Sequence, residues 1–189
     1  MKKFGLVVAL SAVIGLASTA SMAAETSPSF DFVTGSYINL DADGTHIGGA
    51  QIDYSQSFGE NFFGYGFGRY LSKGDIDNTS LAVGLGYKHH IGSSTAVYGV
   101  LGFAYDDVSW GSMGESDTGY IVSAGVRHVI GKAFEIDVNV QHVDLWDDTE
   151  QNYTVSGKYY INPVWAVQAG YTYVDGDNSL MSLGLSYNF

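Results

Sequence analysis

Beyond residue 29 the chain alternates apolar and polar side chains with a period of two, and no stretch carries a helical stripe. Phe134, Ile136, Val138 and Val140 interleave with Glu135, Asp137, Asn139 and Gln141. Leu81, Val83, Leu85 and Tyr87 interleave with Ser80, Ala82, Gly84, Gly86 and Lys88. Successive side chains of a strand point to opposite faces, so each segment builds a sheet with one apolar and one polar face. The pattern predicts ten strands, near 29–40, 46–58, 62–72, 79–91, 95–108, 118–130, 133–146, 151–161, 165–175 and 179–189. Pro28 and Pro163, the two prolines, fall outside them, as a hydrogen-bonded ladder requires.

Such alternation suits a soluble sheet with its apolar face buried, or a membrane barrel with its apolar face turned to lipid. The N-terminus favours the second. Lys2 and Lys3 precede an apolar run at 4–17, and Ser21-Met22-Ala23 offers small residues for cleavage. Residues 1–23 are therefore expected to be a cleaved signal peptide, and 24–189 a single domain. Nothing later approaches the roughly 20 apolar residues of a spanning helix. Insertion must then be as a closed barrel, because lipid offers no partner to a free backbone group. The predicted strands match or slightly exceed the roughly 9–11 residues that a tilted spanning strand needs. The absence of Cys excludes disulfides, thiolate metal sites and a Cys nucleophile. A formal charge of −12 argues against nucleic acid as a partner, since phosphate contacts need clustered Lys and Arg.

The connectors alternate between two kinds. Gly59-Glu60-Asn61, Gly92-Ser93-Ser94, Gly131-Lys132 and Asn162-Pro163-Val164 are short turns. Those around Asp41, Lys73, Asp147 and Asp175, and a longer one from Asp106 to Asp117, are acidic loops. Tight periplasmic turns opposite distinct outer loops are the pattern of an up-and-down barrel. Aromatics gather near strand ends: Phe58, Phe62, Tyr87, Tyr159, Trp165, Tyr187 and Phe189 on the turn side, and Tyr70, Tyr105, Trp110, Tyr120, Trp146, Tyr153 and Tyr173 on the loop side. These read as two interfacial girdles. In the third strand Phe63, Tyr65 and Phe67 share parity with Arg69, leaving its faces ambiguous.

The last strand reads Gly184-Leu-Ser-Tyr187-Asn-Phe189. It resembles the C-terminal assembly signal of outer-membrane proteins, with Gly184, Tyr187 and Phe189 as its marks, although Leu183 stands where a polar residue is usual. With Val83-Gly-Leu-Gly-Tyr87 and Ala124-Gly-Val-Arg-His128, the chain resembles the small porin-like outer-membrane barrels of Gram-negative bacteria related to the OmpA membrane domain. The resemblance implies an all-β, antiparallel, transmembrane barrel in the cell outer membrane, with ten strands here and eight as the alternative. It also implies outer-membrane lipid and lipopolysaccharide as surroundings, and the barrel-assembly machinery and periplasmic chaperones as partners in biogenesis. A monomer is expected.

Parity turns Asp53, Lys88, Arg127, Glu135, Asp137 and Lys158 into the lumen, and Arg69 with them if the third strand is so oriented. An interior charge must be paired or hydrated. The near-balanced set reads as a charged network plugging a narrow barrel, which favours a structural or surface-interaction role. The first alternative is a narrow porin-like channel for small ions or solutes. The second is a lipid-directed outer-membrane enzyme, for which His142-Val-Asp144 near the outer rim is the nearest feature. No catalytic residues are assigned, and no enzyme activity is expected. Most acidic residues lie at the loop end. There Asp41/Asp43, Asp75/Asp77 and Asp147/Asp148 are candidates for weak Ca²⁺ or Mg²⁺ binding, because carboxylate oxygens suit hard cations. No other cofactor is expected.

Overall fold

A computed structural model describes residues 27–146, 148–174 and 178–189. The expected signal peptide at 1–23 lies outside these residues. The described chain forms β1 (Phe32–Ala42), β2 (Thr45–Phe58), β3 (Phe62–Lys73), β4 (Ile76–Ile91), β5 (Thr95–Trp110), β6 (Met113–Ile130), β7 (Phe134–Leu145), β8 (Asp148–Tyr160), β9 (Trp165–Val174) and β10 (Asn178–Asn188). Each strand pairs antiparallel with its neighbours in sequence, and β1 closes on β10, Phe32 facing Asn188 and Asp41 facing Ser179. The eight-strand alternative is thereby excluded.

Alternation places Leu81, Val83, Leu85 and Tyr87 of β4 on the outside, and Ser80, Ala82 and Lys88 within. Phe103 on β5 is 77% exposed, a position that only lipid makes favourable for so large an apolar ring. The ambiguity of β3 resolves with its aromatic face inward: Phe63 is buried, and Tyr65, Phe67 and Arg69 line the lumen. Gly64, Gly66 and Gly68 take the lipid side of that strand.

Two lumen rings stand over glycines. A Cβ on Gly86 would come 2.1 Å from Phe63 Cζ, and one on Gly125 would come 2.5 Å from the Tyr98 hydroxyl. Near the last strand's end Tyr187 packs 5.1 Å from Trp165, and Phe189 stacks on Tyr187 and Tyr54. Gly184 faces inward beside β1, where a Cβ would lie 2.5 Å from the Gly35 carbonyl oxygen.

The strands overrun the membrane, which corrects the expected lengths. β4 and β5 have 16 residues and β6 has 18. The segment Asp106–Asp117, read as a loop, is a hairpin: Asp106 faces Asp117 in register, Trp110 faces Met113, and Gly111 turns the chain with φ 63°. Trp110 therefore belongs to the hairpin tip, beyond the girdle. Beyond the tyrosine girdle the sense of the side chains inverts. On β7, Val140 faces outward, yet Val143 and Leu145 face the lumen while His142 and Asp144 face out. Leu40, Ile47 and Leu71 also face inward at this level. An apolar interior with a polar exterior is the pattern of a barrel in water, so this collar stands above the lipid.

The glycine seats give a direct test. Gly86→Val should force the Phe63 ring aside and destabilise the barrel by about 1–3 kcal/mol, seen as a lower urea midpoint. Gly35→Val, where an added Cβ meets nothing within 4 Å, should leave the midpoint unchanged.

Candidate functional site

The lumen is layered along its axis. At the end carrying both termini, residues Ser27–Asp31 do not extend β1 as expected but fold into the lumen. Phe30 is 3% exposed and packs with Phe63, Ala96 and Val100, its ring 4.7 Å from Phe63 and 5.6 Å from Tyr98. The segment's backbone is tied on several sides. Arg127 Nη1 donates to Ser29 O at 2.6 Å, and Ser55 Oγ donates to Phe30 O at 2.6 Å. Ser57 N donates to Asp31 Oδ1 at 2.5 Å, and Ser27 Oγ lies 3.0 Å from His90 Nδ1.

Four of the seven lumen charges meet here. Arg127 Nε donates to Glu135 Oε1 at 2.8 Å, and Nη2 closes on the same oxygen. Tyr160 OH donates to Glu135 Oε2 at 2.9 Å, so both carboxylate oxygens are engaged. The cations also rest on rings: Arg127 Cζ is 4.7 Å from the Phe30 centroid, Lys88 Nζ is 4.9 Å from it, and Lys158 Nζ is 3.7 Å from the Phe32 centroid. Lys88 further donates to Ser57 Oγ at 2.6 Å. Cation–π contacts strengthen where water is excluded, and Lys88, Arg127 and Lys158 are all below 9% exposed.

The other three charges hydrogen-bond to neutral side chains, and Asp137 stands directly opposite Arg127 in register. Asp137 accepts from Tyr98 OH at 2.9 Å. Asp53 accepts from Gln51 Nε2 at 2.9 Å and lies 3.5 Å from Tyr65 OH. Arg69 Nη2 donates to Ser80 Oγ at 3.1 Å, and that hydroxyl donates to Asp106 Oδ1 at 2.6 Å. Between the levels is a polar cavity of about 220 Å³, lined by Asn139, Gln141, Asn152, Thr154 and Gln168 among others. Above it a second cavity of about 490 Å³ occupies the collar.

The acidic candidates at the rim do not converge. Asp41 is 3.9 Å from His46, Asp77 accepts from Tyr70 OH at 2.6 Å, and Asp148 Oδ1 accepts from Thr149 N. Asp43 occupies a left-handed turn position, and the Asp75 carbonyl accepts from Gly111 N. Asp147 lies outside the described residues. Among the described residues no group of three or more His, Cys, Asp or Glu is placed to hold a metal ion. His142 touches Gln151 and the Tyr120 ring on the collar's outer face, with Asp144 on that same face.

Two features escaped the sequence reading. The inserted segment has no periodicity, and its only signal is an isolated Phe30 two residues after Pro28. The collar's apolar lining is signalled by the parity switch after Val140, which is legible once the membrane boundary is set.

A closed antiparallel barrel with a lipid-facing apolar belt and a polar lumen defines a transmembrane barrel of the outer-membrane type. The chain belongs to the outer membrane protein beta-barrel domain family, whose model matches residues 9–156. It is an integral protein of the outer membrane. Solved structures share the fold at low identity. The KdgM porin in complex with disordered oligogalacturonate is 11% identical, with a TM-score of 0.50 over 84% of this chain and 99% of that one. The NanC porin is 12% identical, with a TM-score of 0.51 over 84% and 100%. Ail, the attachment invasion locus protein of Yersinia pestis, is 18% identical, with a TM-score of 0.43 over 84% and 95%. No curated protein matches the chain.

The buried ion pair yields a testable asymmetry. Arg127→Met alone leaves Glu135 without its charge partner and should destabilise the barrel by about 3–5 kcal/mol. Arg127→Met with Glu135→Leu should recover most of that loss, measured by urea unfolding in one detergent.

Proposed function

We propose that this protein is a non-enzymatic outer-membrane barrel with a structural or surface-interaction role, its lumen closed at the periplasmic end. The observation that carries the reading is Phe30 held inside the barrel beneath the Arg127 guanidinium. A hydrated ion travelling along the axis would have to displace that ring from Phe63, Ala96 and Val100, and to disturb a buried ion pair. Ion-pair rearrangement in such surroundings is costly, because each separated charge loses its partner without regaining water.

The collar supports the same reading. Its hairpins place polar side chains on the outer surface above the lipid, where they meet lipopolysaccharide head groups or a partner molecule. His142 and Asp144 belong to that outward face, away from the lumen cavities. The fold shared with KdgM and NanC is compatible with either an open or a closed lumen.

Planar-bilayer recording tests the closure. The wild-type protein should give no resolved conductance steps, whereas Phe30→Gly should give recurrent ones. Reproducible steps from the wild type would overturn the closed-lumen reading and favour a narrow channel.

A further inference from the structure

The collar cavity has a composition that closure of the barrel does not require. It measures about 490 Å³, and two apolar arcs flank it. Leu40, Ile47 and Leu71 come from β1–β3, while Ile121, Val143 and Leu145 come from β6 and β7. In a water-surrounded collar such residues would ordinarily pack together to native density. Here they stand apart around a space of the size that small-molecule sites occupy, roughly 300–1,000 Å³.

Charge identifies the occupant. One face of β8 presents Asp148, Glu150 and Asn152 at alternate positions, all lining the cavity. Asn152 Oδ1 is buried without a hydrogen-bond partner among the described residues. Asp106 joins this lining, and the cation facing it, Arg69, is linked to Asp106 through Ser80. Three carboxylates against one guanidinium leave the described lining net negative. Trp146 stands at the same cavity with φ 61°, a conformation costly for a bulky residue. Two carboxylates hold it there: its backbone N–H donates to Asp117 Oδ2, and its indole N–H donates to Asp106 Oδ2 at 3.3 Å. An aromatic ring beside carboxylates and an unused carbonyl acceptor is a receptor for an ammonium group.

We infer that the collar cavity binds a small cationic amphiphile, its ammonium on the Asp148–Glu150–Asn152 face of β8 and its apolar body between the two aliphatic arcs. The site opens at the outer end and lies above the Arg127–Glu135 layer, so it is independent of whether the barrel conducts.

Three ligands with one apolar body and different heads test the assignment: 1-adamantylamine, 1-adamantanol and adamantane-1-carboxylate. Each is titrated calorimetrically into the whole protein in phosphatidylcholine nanodiscs, with empty nanodiscs as the blank. The amine should bind about tenfold more tightly than the alcohol, with the carboxylate weakest. Glu150→Gln combined with Asp148→Asn should reduce the amine to the affinity of the alcohol while the alcohol is unchanged. Should that pair impair folding, Asp148→Asn alone, at an exposed position, should still weaken the amine selectively. Equal binding of amine and carboxylate, amine binding that ignores these substitutions, or heats matching empty nanodiscs would overturn the inference.

Discussion

The constraint on which everything else depends is the closure of β1 on β10. Hydrocarbon offers no hydrogen-bond partner, so an unpaired sheet edge would cost several kcal/mol for each exposed group. Pairing from Phe32↔Asn188 to Asp41↔Ser179 removes that edge. It also brings the segment before β1 to the barrel mouth: Phe189 N donates to Asp31 O, and the chain preceding Asp31 turns into the lumen. The inward position of Phe30 is thus a consequence of closing the sheet at that register.

Once closed, the barrel meets three media, and side-chain polarity follows each. Lipid selects Leu85, Leu101 and Phe103 outside. Water above the membrane selects His142 and Asp144 outside, and Val143 and Leu145 inside. A narrow lumen within the membrane selects charges satisfied by rings and hydrogen bonds, because there is too little room to hydrate them fully. Placing Arg127 and Lys88 over the same phenylalanine lets one apolar ring serve two cations.

Much of this was legible in the sequence, because a period of two is a strong signal when one face must be apolar. The parity of Glu135, Asp137 and Lys158 could be read without coordinates, and strand number followed from counting turns. What could not be read lacked either period or a fixed medium. Ser27–Asp31 is too short for any pattern, and its partners Ser55, His90 and Arg127 are remote in sequence. Asp106–Asp117 looked like a loop because its acids interrupt the apolar stripe, although Val108 and Ile121 keep the inward register through the hairpin. The Phe63–Tyr65–Phe67 stripe of β3 resembles a lipid face, and only the glycines opposite the rings, Gly86 above all, decide its direction.

The same logic separates the two ends of the lumen in kind. At the end carrying both termini the Glu135 oxygens accept from Arg127 and Tyr160, Arg127 also donates to the backbone of the inserted segment, and Lys158 Nζ rests on the Phe32 ring. Matching of that order fixes one arrangement and favours closure. At the outer end the described residues leave the balance incomplete, with excess carboxylate in the lining, an Asn152 Oδ1 without a partner among them, and two separate aliphatic walls. An incomplete set inside a rigid collar favours exchange with whatever the medium supplies. On the reading proposed above, the barrel combines a closed floor with an open, selective mouth, and the acidic character concentrated around that mouth sets the sign of what enters.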